Sequence, residues 1–486
     1  MYRLPCRQDT KGHNVNTPEI TESESMPRAS FSTVGCKLNT YETEMLRYEF
    51  ARAGYEIVDF GDSADVTVIN TCTVTSRADA DCRKMIRRAR RASINGTVVV
   101  TGCMAERATE DIAGMSEVDL VIGNAGKAHV LERVTSFRNG TSDDETVFAA
   151  PSLAKSQQFL TIHSSDEAGK HGRTRATLQV QDGCDEHCTY CIIPSVRGRS
   201  RSRPLSEIVE HARRIAGMGY REIAITGVNT GAYGEDTEAS ARFLDVLRAI
   251  AEIDGIERVR VNSIEPNAID DALIDFLTTE PKICRHYHIP LQSGSDGVLK
   301  RMNRRYRTEQ YSHIVKSLRT RQPHAAIGAD VMVGFPGETD AEFDETVRFI
   351  DSLPITYLHV FSYSEREGTP AVKLDGHHSR AVKDRRNREL RKLGLEKREE
   401  FHRRHIGDVV SVLVEDSRDP ITGSLRGLTD NYIRVTTDAS RTAINTFVPI
   451  RIVDADAHGA AGIAICDSAD ESTAGERKTA VAEVSV

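Results

Sequence analysis

No run of 18 or more apolar residues occurs anywhere in the 486-residue chain, so no membrane-spanning helix is expected. The first 25 residues, MYRLPCRQDTKGHNVNTPEITESES, hold no apolar core of the kind a secretory signal needs, which points to the cytoplasm. Thiols stay reduced there, so the ten cysteines read as metal ligands and packing residues rather than disulfides. Nor is there a surplus of positive charge. The net charge of −8 excludes a globally cationic nucleic-acid binder, but the charge is uneven. Residues 453–486 carry seven acidic groups against Arg477 and Lys478, leaving only −3 on the rest, so one face could still meet a nucleic acid. No internal repeat is visible. The length exceeds one ordinary core and implies two to four domains, and 39% hydrophobic with 28% charged residues suits a soluble globular protein.

Residues 1–29 are polar and aperiodic, an expected disordered extension, and Met26 would also serve as a start. From residue 30 to about 137, strands alternate with helices: SFSTVGC, DVTVINTC, TVVVTGC and VDLVIGN are the strands, with NTYETEMLRYEFARAGY and SRADADCRKMIRRARRA between them. That order predicts a parallel α/β sheet. Residues 138–172, rich in Ser, Asp, Gly and Lys, read as a linker. The alternation resumes over 173–405, with strands at 174–181, 221–226, 256–264, 285–291, 326–333 and 356–363. Helical patterns fall at 205–218, 239–252, 268–278, 307–321 and 340–351, and a charged helix at 379–405 leads out. Six evenly spaced βα-like units suit a partial (β/α)6 barrel of the TIM type better than a doubly wound sheet. Residues 406–455 hold short β-rich segments (DVVSVLVED, ITGSLRGLT, NYIRVTTD, NTFVPIRIVD), expected to form a small all-β barrel. The Ala-, Gly- and Ser-rich tail, 456–486, is expected to be disordered.

Cys184, Cys188 and Cys191 form a C-x3-C-x2-C array just beyond the strand TRATLQVQ, at the mouth of the barrel where strand-to-helix loops build the site. Three thiols are one short of a closed zinc site. The only local fourth ligand, His187, lies inside the array, where the chain can hardly wrap one ion. A [4Fe–4S] cube with one open iron suits the count better. Cys36, Cys72 and Cys103 are remote from one another in the chain, yet each ends a strand. The carboxyl ends of parallel strands share one edge, so these thiols can converge on a second cluster; the plainer reading is three buried packing cysteines.

C-x3-C-x-aromatic-C, with Tyr190 as the aromatic, resembles the radical S-adenosylmethionine superfamily. The resemblance implies that the cofactor binds the open iron and is cleaved to a 5′-deoxyadenosyl radical. With the three N-terminal cysteines and the terminal β barrel, residues 30–453 resemble the methylthiotransferases, whose last module is a TRAM barrel that binds RNA. GCKLNTYETE (35–44) and QDGCDEHCTYCIIPSVRGRSRSR (181–203) are most similar to the branch acting on N6-threonylcarbamoyladenosine in tRNA. The isopentenyladenosine branch usually reads Gln and Met where this chain has Lys37 and Leu38, and the ribosomal-protein branch usually has Pro. The implied reaction replaces the adenine C2 hydrogen at position 37, beside the anticodon, with a methylthio group. The implied division of labour gives radical formation to the Cys184/Cys188/Cys191 cluster and sulfur carriage to the Cys36/Cys72/Cys103 cluster. The implied partners are tRNA, an electron donor of flavodoxin or ferredoxin type and a sulfur donor. The chain is expected to act as a monomer, with no membrane partner. The rival from another class is a non-catalytic RNA-binding protein that holds zinc.

Gly227, in AITGVNTG (224–231), Gln292, in HIPLQSGSD (288–296), and Tyr190 are candidates for cofactor contact; the Gly334–Gly337 loop is expected at the same mouth. Arg197, Arg199, Arg201 and Arg203 follow the cysteine array at alternate positions, which in an extended segment would put them on one side, suited to phosphates. Two further basic groups, Arg87/Arg88/Arg90/Arg91 and Lys300/Arg301/Arg304/Arg305, read as solvated helix faces or RNA contacts. Cys6, Cys82, Cys284 and Cys466 fit neither array.

Overall fold

The computed structural model describes residues 26–141, 147–148, 159–160, 174–238 and 241–465. Most of the N-terminal extension, most of the linker and the end of the tail, with Cys6 and Cys466, lie outside the described residues.

The N-terminal domain begins with β1 (Arg28–Thr33), α1 (Lys37–Arg52), β2 (Glu56–Val58), β3 (Val66–Thr71) and α2 (Ser76–Ala92). It continues through β4 (Thr97–Gly102), α3 (Cys103–Arg107), α4 (Thr109–Ala113), β5 (Leu120–Ile122), α5 (Val130–Arg138) and β6 (Val147–Phe148). The strands form one parallel sheet in the order β2-β1-β3-β4-β5-β6. Every residue of β3 and β4 is buried, the pattern of central strands covered on both faces. Val66, Val68 and Val99 pack against Leu46 and Phe50 of α1 and Val134 of α5. Ile69, Val98 and Val100 point the other way, onto Cys82, Ile86 and Ile112. The edge strand β2 has no counterpart among the expected strands, because its three residues are short of any apolar alternation.

The central domain runs β7 (Arg175–Gln179), β8 (Gln181–Asp182), α6 (Ile193–Arg197), β9 (Arg201–Ser202), α7 (Leu205–Gly217), β10 (Glu222–Thr226), α8 (Phe243–Ala251) and β11 (Arg258–Val261). Then follow α9 (Asp271–Thr279), β12 (His286–His288), α10 (Asp296–Arg301), α11 (Thr308–Arg321), β13 (Ala326–Val333), α12 (Asp340–Ser352), β14 (Tyr357–Ser362) and α13 (Arg380–Arg403). Two parallel three-stranded sheets, β7-β10-β11 and β12-β13-β14, stand side by side. Val259 of β11 joins them by bonding Lys282 O at 2.7 Å and receiving Cys284 N at 2.9 Å. The result is the partial six-stranded barrel. β11 and β12 are shorter than their apolar runs, because Ile264, Ile289 and Leu291 enter the core from loops.

The N-terminal domain touches both ends of this array. Leu38 and Tyr41 of α1 join the barrel core beside β7, and beyond β14 Arg366 pairs with Asp79 of α2 at 2.6 Å.

The last five strands, β15 (Val409–Arg418), β16 (Leu425–Thr429), β17 (Arg434–Thr437), β18 (Phe447–Ala455) and β19 (Ala460–Ala464), close a barrel in the order β15-β16-β17-β19-β18. β19 corrects the expected end at residue 455: the tail assigned to disorder supplies the closing strand, paired with β17 and β18. Its small residues are what the closure needs, since a Cβ on Gly462 would stand 2.3 Å from Ile450 Cγ2. The β16–β17 turn docks on the central domain. Arg260 donates to the carbonyls of Thr429 and Asp430 at 3.0 and 3.1 Å, and Tyr432 stacks on His286 at 4.1 Å between ring centroids. No helix among the described residues is long and apolar enough to cross a membrane.

Candidate functional site

The three N-terminal cysteines lie where strands give way to helices. Cys36 is the residue before α1, Cys72 follows β3, and Cys103 opens α3 after β4. Two glycines make that approach possible. Gly35 (φ +118°) and Gly102 (φ +98°) adopt backbone angles that favour glycine, and a Cβ on Gly35 would meet Cys72 Cβ at 2.6 Å. Asn39 ties the edge together by donating to Val34 O at 2.9 Å and Thr71 O at 3.0 Å. Asn124 does the same for Cys103, bonding its Sγ at 3.6 Å and Val196 O at 2.6 Å.

The Cys184–Cys191 loop is strapped to the segment after α10. Thr189 N bonds Met302 O at 3.0 Å, Asn303 donates to His187 O at 2.9 Å, and Arg304 Nη1 reaches Cys188 Sγ at 3.1 Å. Arg304 also forms a short ion pair with Glu265. α6, which begins two residues after Cys191, then carries this loop onto the N-terminal sheet edge: Ile192 and Val196 pack against Cys103.

Both thiol sets therefore open into one cavity of about 780 Å³, lined by Cys36, Cys72 and Cys191 among others. Tyr190, Gly227 and Gln292, the expected cofactor contacts, also line it. Gly227 has little room for a side chain, with Gln181 O and Oε1 both 3.1 Å from a built Cβ. Gln292 sits at φ +63°, and its backbone bridges Asp330 O and Met332 N at 2.8 and 2.9 Å.

Several lining residues were not among the expected cofactor contacts. Lys37 crosses from α1 to Asn262. His288 and His359 both bond the Asp330 carboxylate, at 3.0 and 3.2 Å, and Tyr432 enters from the terminal barrel. Burial alone would raise the Asp330 carboxyl, but the two histidines hold it below the usual carboxylate range. No sequence spacing links these positions, which five separate elements and turns bring together.

Burial pushes the thiols up: Cys72 and Cys184 to about 11, Cys191 to about 12, with Cys36 and Cys188 also raised. Arg197 opposes the rise at Cys36 and Arg304 opposes it at Cys188. Thiols so placed ionise when a metal centre supplies compensating charge. Each triad offers three thiols and no fourth protein ligand from its own motif, one short of a closed tetrahedral zinc site. All-sulfur sets of three suit a cluster that keeps one iron open.

The expected row of RNA-facing arginines is corrected by burial. Arg197 is 2% exposed and pairs with Glu42 and Asp182 at 2.9 and 3.0 Å. Arg203 is fully buried, donating to Leu160 O at 2.9 Å over the Phe159 ring. Arg201 pairs with Asp182, and only Arg199 projects into solvent, near Asp185. The segment is not a uniform extended strand, because α6 and the β8–β9 pair turn its side chains inward. The other basic groups divide likewise. Arg90 is spent on Asp119 and nearby carbonyls, Arg301 on Glu342, and Arg304 on the cysteine loop.

Comparison with known proteins agrees with this architecture. Residues 178–350 match the Radical SAM superfamily, and residues 28–123 match "Uncharacterized protein family UPF0004". The fold resembles the radical S-adenosylmethionine methyltransferase TsrM from Kitasatospora setae, with a TM-score of 0.54 at 16% identity over 71% of this chain and 77% of that one. A partial barrel with a three-cysteine loop at its mouth defines a radical S-adenosylmethionine enzyme.

Among its relatives, the threonylcarbamoyladenosine tRNA methylthiotransferase MtaB of Bacillus subtilis is 37% identical over 88% of this chain and 94% of its own length. The MtaB of Aquifex aeolicus is 36% identical over 84% and 96%. A tRNA-2-methylthio-N(6)-dimethylallyladenosine synthase of Alkaliphilus oremlandii is 32% identical over 87% and 89%. The chain belongs to the radical S-adenosylmethionine methylthiotransferases, of the MtaB type. It is an enzyme that transfers a methylthio group to tRNA, and its family uses [4Fe–4S] clusters and S-adenosylmethionine.

Proposed function

We propose that the chain installs the methylthio group on C2 of N6-threonylcarbamoyladenosine at tRNA position 37, using a second cluster on Cys36, Cys72 and Cys103. The observation that carries this reading is the shared cavity, whose wall includes Cys36 and Cys72 of one triad and Cys191 of the other. A [4Fe–4S] cluster with S-adenosylmethionine on Cys184, Cys188 and Cys191 supplies the one-electron chemistry needed at an aromatic C–H that is neither acidic nor readily displaced. The protein's own part is positioning. Arg304 neutralises charge at Cys188, Gly227 and Gln292 shape the cofactor wall, and Tyr190 packs against Phe335 to fix the loop. Cys36 and Cys72 line the same space, where a sulfur carrier can reach the activated carbon. An external electron donor of flavodoxin or ferredoxin type and a sulfur donor complete the reaction, and the chain acts as a monomer in the cytoplasm.

The test is anaerobic reconstitution with metal analysis, then assay of the two triads. Two clusters require about eight irons per chain, and stoichiometric zinc without iron would overturn the reading. Replacing Cys184, Cys188 and Cys191 by Ala should abolish 5′-deoxyadenosine formation. Replacing Cys36, Cys72 and Cys103 should leave some of it while stopping methylthio product; product from the N-terminal triple variant refutes the assigned roles. Mass spectrometry of tRNA nucleosides from cells lacking the protein identifies the substrate base.

A further inference from the structure

We propose that Lys37 is the specificity-determining cation of the cavity, receiving a carboxylate carried by the substituent on the substrate base. The proposal rests on the threonylcarbamoyladenosine reading. That base carries an N6 group with a free carboxylate and a hydroxyl, whereas the isopentenyl group is a hydrocarbon.

Of the described residues lining the cavity, Lys37 is the one lysine or arginine. It is the first residue of α1, a helix with no acidic residue in its first turn and no side-chain cap. Its ammonium therefore adds to the positive end of the helix rather than being offset there. The side chain spans from the N-terminal domain to the barrel, where Nζ donates to Asn262 Oδ1 at 2.9 Å and stands 6.0 Å from the centre of the Tyr432 ring. Asn262 is neutral, and among the described residues no carboxylate comes within ion-pair distance of Nζ.

The cations just behind the wall are all neutralised: Arg197 by Glu42, Arg260 by Glu222, and Arg304 by Glu265. Lys37 thus differs from its neighbours in facing open space with unspent N–H donors. An incoming carboxylate completes a charge-assisted pair there. Most of the lining is apolar, but one stretch is polar as well, the His288–Asp330–His359 chain facing the same cavity. That stretch can receive a hydroxyl or a carbamoyl group, so discrimination against a hydrocarbon substituent falls to Lys37, whose ammonium such a group would leave unmatched. Asn262 is a positioning residue that holds the ammonium in the cavity.

The experiment compares two anticodon stem-loop RNAs with the reconstituted full-length enzyme. One carries N6-threonylcarbamoyladenosine, and the other carries the same nucleoside with its threonyl carboxylate as the methyl ester. For the wild-type enzyme kcat/KM should fall about tenfold or more on esterification, mainly through KM, the size expected when a hydrogen bond to a charged group is lost. In Lys37→Met the acid-to-ester ratio should shrink to within about twofold, and Lys37→Arg should restore it. Equal use of acid and ester by the wild-type enzyme overturns the proposal without reference to any variant. So does an unchanged ratio in iron-loaded Lys37→Met. If the wild-type enzyme makes no methylthio product from the acid RNA, the substrate reading has failed; if it uses acid and ester equally, that reading stands and the role of Lys37 has failed.

Discussion

Replacing Arg197 by Met removes the guanidinium that joins the N-terminal domain to the barrel, and the cost can be worked from its contacts. Arg197 reaches Glu42 at 2.9 Å, Asp182 at 3.0 Å and Asn39 Oδ1 at 2.7 Å, all in the interior. Removing one member of a buried ion pair costs about 3–5 kcal/mol. Here neither acid is left bare, because Glu42 keeps Lys127 and Asp182 keeps Arg201. The expected loss for Arg197→Met therefore sits near the lower end, about 3 kcal/mol. Glu42→Gln leaves Lys127 buried without its carboxylate, so it should cost more, toward about 5 kcal/mol. Arg199→Met, a change at an exposed pair, should stay within about 0.5 kcal/mol.

A multidomain chain has no single unfolding free energy, so the fitting assay is native-state hydrogen exchange at α1 and α6, which reads local opening. Burial alone would raise the Glu42 carboxyl, but Arg197 and Lys127 hold it well below the usual carboxylate range. Its contribution is thus fully present above the ordinary glutamate pKa of about 4.3. It is lost as pH falls from there through the depressed folded value, and in Arg197→Met, where that value is less depressed, the loss should be smaller and complete at higher pH. The reasoning is refuted if Arg197→Met opens α1 and α6 no more readily than Arg199→Met. A fall of about one in the salt slope of RNA binding with stability intact would return Arg197 to the RNA.

Two further outcomes test the site. Gly35→Ala should force Cys72 aside, since the new Cβ would lie 2.6 Å from Cys72 Cβ and 3.0 Å from its Sγ; iron per reconstituted chain should drop from about eight to about four, and retention of eight would contradict the assigned geometry. Arg304→Met strips a positive charge from Cys188, 3.1 Å away, and leaves Glu265 unpaired beside it. The midpoint potential of the cluster at that loop should become more negative by on the order of 60 mV, the one-electron equivalent of a tenfold change, and an unmoved potential would show that Arg304 serves only the fold.

Much of the architecture was legible in the chain because it follows local periodicity. β3 and β4 announce themselves as short runs rich in β-branched residues, VTVINT and TVVVTG, and six βα units announce a barrel. The thiol sets were legible for two different reasons, the C-x3-C-x2-C spacing being local and the strand-end position of Cys36, Cys72 and Cys103 recurring three times. β19 was not, since the Ala and Gly that let Gly462 sit against Ile450 resemble a disordered tail. The arginines at 197–203 were misread for a related reason. Alternate spacing fixes a common side only in an extended segment, and α6 with the β8–β9 pair breaks that condition.

Residue identity and spacing, then, settled the chemistry this protein can carry: two sets of three thiols, each at the end of a strand, in a parallel α/β framework. Packing between domains settled how that chemistry is arranged. It turned Arg197 from an RNA contact into a buried strut, brought Tyr432 from the terminal barrel to the cavity wall, and left Lys37 as a cation without a counter-charge among the described residues. The physical reason is that burial, and with it the strength and pairing of charge, depends on contacts between segments far apart in the chain, which no local pattern records.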